Sequence, residues 1–367
     1  MKICYVGASA PRLVNLMSDM RERGHEVHWI ALSFPKYAIS NITVHDDIRL
    51  YRLSFIKRNL LSSYYFVLFK MKLKEISPDI LHSINVKWAG WFSVFSGFKH
   101  VIVTPQGGDV MMRHNANNGI FHRWMRRYTL LNAAAVTYGN DTMLKDINRC
   151  ANPKKTLKYF AGVNFDLVNF ETSSYEIGQK LNIGNRKVVF SPRMFDVNSN
   201  LDIVIQTIPL VKEVFPDVIY IFTCHLEINN YSLRMKELIK KLDVTENCLF
   251  LDQILPSEMA AYYSISDVVI SILSSDGMPA TLLETMAMKK TLVISKIPSY
   301  LGLMNKKYAL MVPPRDVEAT ANAIIKGLTQ DDETAQMKEI AYNWVSQNAD
   351  IRKLNDSLER LYLEIIG

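Results

Sequence analysis

Cysteine is scarce in this chain of 367 residues: Cys4, Cys150, Cys224 and Cys248 stand far apart with no paired spacing. Such spacing gives neither a disulfide framework nor a thiolate cluster for zinc, and none of the eight histidines falls near two cysteines. All four are expected to be reduced and structural. Long apolar runs are also missing, since none reaches the ~18–20 residues that a membrane-spanning helix needs. The opening MKICYVGA has no charged stretch followed by a long apolar region, so no secretory signal is expected. Tandem repeats and low-complexity tracts are absent too. The loop GASAPR after the first apolar run is not G-x-G-x-x-G, which removes support for hydride transfer. The basic residues surround no recognisable reading element, so nucleic acid is not an expected partner. A cytoplasmic protein, soluble or peripheral at the inner membrane face, is the expectation.

The composition that is present suits a folded protein: 49% of residues are apolar and 22% charged. The length exceeds what one core usually supports, which predicts two domains. A formal net charge of +7 implies a modest attraction to anionic partners.

Along the chain, KICYVG reads as a buried strand, LVNLMSDMRERG as a helix stopping at Gly24, and HEVHWIAL as a second strand. The alternation recurs at DILHSI, HVIVTP and AAAVTYG, then at KVVFSP, VIYIFTC, CLFLDQ, DVVISIL and TLVISK. Alternating strands and helices predict parallel sheets covered on both faces. So many repeats do not fit one open sheet. The polar, turn-rich stretch around 163–187 is the best divider. The predicted architecture is α/β, two doubly wound domains at 1–170 and 171–345 facing a cleft. A helix at 346–367 is expected to pack back across the region between them.

The most informative stretch is SSDGMPATLLETMA, residues 274–287. It follows DVVISIL, and Pro279 suits the first position of a helix. A helix start offers unpaired N–H groups and the positive end of the macrodipole, so Ala280, Thr281 and Leu282 can cradle a phosphate. Gly277 permits close approach of a ligand. Asp276 and Glu284 would bracket that phosphate. Carboxylates there make sense as acceptors for hydroxyls, which a sugar nucleotide supplies on both its ribose and its sugar. The bland alternative is a capping Asp276 and a solvated Glu284.

These residues resemble the signature of family 4 retaining glycosyltransferases of the GT-B fold, an acidic residue followed after seven others by Glu. RERGHEVHWI, SPDILHSI, VTPQGGDV, FAGVNFDLV and the segment from SPRMFDVNSN onward resemble further stretches of that family in the same order. The resemblance implies two Rossmann-like domains, the first for the acceptor and the second for a UDP- or GDP-sugar. It implies donor contacts from Gly277, Met278, Pro279, Ala280, Thr281 and Leu282, with Glu284 on the ribose hydroxyls. Arg193 would neutralise the departing diphosphate and Asp276 would meet the sugar. It implies retention of configuration and no metal. Gly7, Arg12, His82, Gln106 and Asp109 fall where acceptor or cleft residues are expected, each with a plain structural reading beside it.

Four departures from the family pattern stand out. Asp276 is one methylene shorter than the usual Glu. Asn198 and Asn200 stand where a lysine normally follows the arginine. Gln106 replaces a histidine, and Lys289 replaces a glycine after the motif helix. A missing cation leaves an inactive sugar-nucleotide-binding protein as an alternative; a GT-B sugar-nucleotide epimerase is another. Residues 52–76 and 119–128 combine Arg and Lys with Phe, Tyr, Trp and Leu. They suit an anionic membrane surface and a saccharide or lipid-linked saccharide acceptor used in surface polysaccharide synthesis. The alternative is ordinary core helices with solvated lysines.

Overall fold

The computed structural model describes residues 1–7, 11–33, 48–54, 62–110, 119–166, 174–223, 230–251, 254, 258–276, 280–298, 300 and 304–367. The chain divides into two compact units, Met1–Ala161 with Arg352–Gly367, and Gly162–Ile351. The division therefore falls at 161/162 and 351/352, against 170/171 and 345/346 in the sequence reading.

The first unit is built on β1 (Lys2–Gly7), β2 (Glu26–Ser33), β3 (Arg49–Ser54), β4 (Ile80–Ile84), β5 (Val101–Thr104), β6 (Ala135–Tyr138) and β7 (Thr156–Lys158). They form a sheet in the order β3-β2-β1-β4-β5-β6-β7, every pairing parallel. Helices α1 (Pro11–Glu22), α2 (Ser62–Ile76), α3 (Trp88–Phe95), α4 (Ile120–Asn132) and α5 (Asp141–Cys150) connect them. Ile3, Cys4, Tyr5 and Val6 are wholly buried, because a strand inside such a sheet is covered on both faces and so reads as a continuous apolar run. Helix α1 ends as its sequence suggests. Gly24 takes φ 85, its N–H donates to the Arg21 carbonyl, and the His25 N–H donates to the Met20 carbonyl.

The second unit repeats the plan. Strands β8 (Val188–Ser191), β9 (Ile219–Thr223), β10 (Cys248–Leu251), β11 (Val268–Ser271), β12 (Thr291–Ser295) and β13 (Leu310–Val312) run in the order β10-β9-β8-β11-β12-β13, again all parallel. Helices α6 (Ser174–Lys180), α7 (Leu201–Lys212), α8 (Asn230–Lys241), α9 (Met259–Ser264), α10 (Ala280–Ala287), α11 (Val317–Thr329) and α12 (Asp332–Asn348) surround them. In both sheets the order reverses beside the first strand, at β1/β4 and at β8/β11. Ligands of doubly wound sheets bind at the carboxyl ends of such strands. Cys4, Cys150 and Cys248 carry no disulfide; Cys224 lies outside the described residues.

The last helix, α13 (Ile351–Ile366), returns to the first unit, where Leu358, Leu361 and Tyr362 join the core of Ile3, Tyr5 and Trp29. Polar contacts fix it. Arg23 donates to Asp19 and Asp356 at 2.6 Å each and to Glu359 at 2.9 Å, and His25 lies 2.7 Å from the other Glu359 oxygen. Burial alone would push the Glu359 carboxyl up, but the hydrogen bonds from Arg23 and His25 outweigh it and hold the group below its ordinary value. A depressed carboxyl stabilises the fold while ionised. Its contribution is present above the ordinary value of 4.5 and is lost as pH falls through the depressed one. Arg23→Ala should remove about 1–3 kcal/mol at neutral pH, lowering Tm by several degrees and flattening its fall in acid. A Tm unchanged by the substitution would show the network to be inert.

Candidate active site

Polar side chains from several loops and helices converge where β8, β11 and β12 end in the second unit. β8 stops at Ser191, and Arg193 follows two residues later. Its Nε donates to Ser271 Oγ, the last residue of β11, at 2.8 Å. Its Nη2 lies 3.9 Å from Asp276 Oδ2, and both side chains are mostly covered, at 15% and 17% exposure. That nitrogen and Ser191 Oγ are buried atoms with no hydrogen-bond partner among the described residues. Asp276 Oδ2 also accepts a 2.9 Å hydrogen bond from Tyr300, which comes from the loop after β12. One turn and a half into α10, Glu284 accepts from Tyr263 of α9 at 2.8 Å. Each carboxylate is thus held by a buried tyrosine. Burial, with Asp276 beside one ring and Glu284 beside the other, pushes both phenols well above their ordinary value, so both remain donors.

The loops carrying Arg193 and Asp276 are fastened to each other by the two asparagines that stand in place of a cation. Asn198 Nδ2 donates to the Ser275 carbonyl at 2.9 Å, and the Ser274 N–H returns to the Asn198 carbonyl at 2.9 Å. Asn200, at φ 49, donates to the Ile272 carbonyl at 2.7 Å and to Ser274 Oγ at 2.9 Å. Its Oδ1 accepts from Arg315 at 3.0 Å. Left-handed backbone is one that asparagine tolerates better than most residues. These amides are consumed in bracing the loops.

Of the predicted donor residues, Arg193, Asp276 and Glu284 come together in this unit. Ala280 and Thr281 open α10 and are partly exposed, whereas the Leu282 side chain is buried in the core. Gly277, Met278 and Pro279 lie outside the described residues. Tyr263 and Tyr300 were not anticipated. The predicted loss of glycine after α10 is met by Lys289 itself, which adopts φ 50 and reaches Glu339 at 2.8 Å.

The predicted acceptor residues scatter over the first unit. His82 is a correction, because it is wholly buried and lines no surface. Its Nδ1 lies 2.5 Å from the Tyr362 hydroxyl and its Nε2 2.6 Å from Thr104 Oγ1, and burial brings its pKa down to about 3. A neutral imidazole there ties β4 to α13 and β5. Asp109 is buried as well. It accepts from the Val86 N–H at 2.7 Å and the Gln106 N–H at 2.9 Å, so its oxygens fasten the turn after β5 to the end of β4. Gln106 is exposed. Gly7 ends β1, where a Cβ would stand 3.0 Å from that of Ile84, so glycine serves the close approach of β1 and β4. The Arg12 side chain lies outside the described residues.

Residues 174–344 match the family described as glycosyl transferases group 1, and residues 2–140 match the glycosyl transferase 4-like family. Solved structures agree over the whole length. Sucrose-phosphate synthase from Thermosynechococcus elongatus superposes with a TM-score of 0.81 at 17% identity, covering 100% of this chain and 99% of its own. A glycosyltransferase from Rickettsia africae gives 0.82 at 18%, covering 100% and 98%. Anabaena HepE, solved in complex with UDP, gives 0.81 at 15%, covering 99% and 100%. No curated protein sequence matches the chain. At such identities the structures establish the GT-B fold, and the two family matches carry the rest: the chain is a glycosyltransferase, belonging to the group 1, family 4-like glycosyl transferases.

Proposed function

We propose that this enzyme moves a sugar from a UDP- or GDP-sugar, bound by the second unit, to a saccharide or lipid-linked saccharide, bound by the first. The observation that carries this reading is the Arg193 guanidinium, held by Ser271 at the carboxyl ends of β8 and β11 with one nitrogen that has no hydrogen-bond partner among the described residues. A buried donor without an acceptor costs free energy, and a diphosphate oxygen would satisfy it. HepE, a relative in fold, was solved with UDP and with UDP-glucose, which supports a nucleoside-diphosphate donor.

The chemistry then follows from charge. As the bond from sugar to diphosphate breaks, negative charge grows on the leaving oxygen, and Arg193 with the N–H groups of the α10 start meets it in a site already arranged. These fixed groups take the place of a metal. Glu284 accepts from the ribose hydroxyls and Asp276 from the sugar. The acceptor hydroxyl passes its proton to the departing diphosphate and enters on the same face, which retains the anomeric configuration. Thermal unfolding with UDP, GDP and ADP tests the donor site. A nucleotide at 100 times its Kd adds about 2.7 kcal/mol, a shift of several degrees for one nucleotide that Glu284→Ala abolishes. No shift with any nucleotide would favour a protein that does not use such donors.

The acceptor side is read from an exposed aromatic and basic surface on the first unit. In α4, Ile120, Phe121 and Trp124 are 88%, 61% and 51% exposed, Arg123 and Arg127 are exposed beside them while Arg126 is buried, and the helix contains no acidic residue. Helix α2 buries Tyr65, Phe69 and Leu73 in the core and leaves Tyr64, Val67 and Met71 exposed beside lysines. No described helix is long and apolar enough to cross a membrane. An anionic bilayer matches both the charge and the rings, which suits a lipid-linked acceptor and surface polysaccharide synthesis at the inner membrane face. The protein should float with phosphatidylglycerol vesicles and not with phosphatidylcholine, and Phe121→Ser with Trp124→Ser should release it. Equal flotation with neutral lipid, or none with either, would contradict this.

A further inference from the structure

We propose that Tyr300 is a positioning residue matched to Asp276, and that the pair sets where the carboxylate meets the transferred sugar. The inference rests on the donor reading above and adds to it a residue outside the Asp276–Glu284 motif. Tyr300 is wholly buried, and its hydroxyl donates to Asp276 Oδ2 at 2.9 Å. The same oxygen lies 3.9 Å from Arg193 Nη2. One carboxylate oxygen thus faces both the phenol and the guanidinium, while Arg193 is itself fixed on the Ser271 hydroxyl at 2.8 Å.

The arrangement sets a limit on side-chain length. The aspartate is short, and with the Tyr300 hydroxyl only 2.9 Å from its Oδ2, a carboxylate carried one methylene further in that direction would meet the hydroxyl. The Tyr300 backbone leaves little freedom, since its N–H donates to the Ile297 carbonyl at 3.1 Å and its carbonyl accepts from the Met304 N–H at 2.8 Å. A phenol anchored at both ends of its residue cannot follow Asp276 if that side chain turns. Its role is therefore to hold one orientation of the carboxylate, so the sugar meets a fixed acceptor.

The pairing makes a prediction with a definite sign. Tyr300→Phe removes the hydroxyl from which Asp276 Oδ2 accepts, and should lower kcat ten- to a hundredfold while nucleotide Kd changes less than twofold. Asp276→Glu pushes a longer carboxylate into the hydroxyl and should lower kcat by a similar factor. The double variant gives the longer side chain the vacated space, and should be at least tenfold more active than either single one. The measurements are calorimetric titration with UDP, GDP and ADP, and release of sugar from UDP-glucose, UDP-galactose, UDP-N-acetylglucosamine and GDP-mannose. Multiplying defects in the double variant, or a Tyr300→Phe enzyme as active as wild type, would overturn the pairing while leaving nucleotide binding intact. A wild-type protein that binds none of the nucleotides would overturn the donor reading, and this inference with it.

Discussion

A guanidinium that is nearly buried has to be met by something, and at the carboxyl ends of the two central strands of the second sheet Arg193 is met only in part by the described residues. Ser271 holds one nitrogen by a hydrogen bond, and Asp276 stands too far from another to bond it. Removing a charge from water costs several kcal/mol unless its hydrogen bonds are replaced. The site keeps that cost low with a neighbouring carboxylate, yet among the described residues one donor has no hydrogen-bond partner. Everything around it serves to keep this incomplete arrangement in place. Asn198 and Asn200 tie the two loops together, and Tyr300 and Tyr263 secure the two carboxylates.

The strand order makes the arrangement possible. Arg193 and Asp276 are far apart in the chain, but β8 and β11 are neighbours because the sheet reverses direction of growth between them. The loops leaving those two strands cannot be covered by a common connecting helix, so their ends stay available. In the first unit the same reversal falls between β1 and β4, where Gly7 admits Ile84 and Asp109 gathers the turn after β5. The two units use one topology with different polar contents: a cation and carboxylates in the second, and a buried neutral histidine and a loop-fastening aspartate in the first.

Much of this was legible in the sequence. Parallel strands covered on both faces leave unbroken apolar runs, so KICYVG, KVVFSP and DVVISIL announced themselves, and Gly24 marked the end of α1. Asp276 and Glu284 drew notice because they bracket the start of a helix that follows such a strand, whereas Arg193 was indicated only by the family resemblance. Tyr300 and Tyr263 were not legible, since nothing local separates them from the other tyrosines among 17, and their partners are set by which loops the sheet brings together. The role of His82 stayed open between an acceptor residue and a strand end for the same reason. Its partner Tyr362 arrives from the far end of the chain, and only that contact turns a polar strand end into a buried link. Lys289 shows that a left-handed turn can be met without glycine when the side chain finds an acid and an aromatic ring, here Glu339 and Tyr342.

The most direct measurement is a crystal structure of the protein with UDP or GDP, whichever binds. The account predicts a diphosphate oxygen accepting from Arg193 Nη2, ribose hydroxyls on Glu284, and Asp276 still held by Tyr300. A nucleotide seated away from the carboxyl ends of β8 and β11, making no contact with Arg193 Nη2, would contradict it.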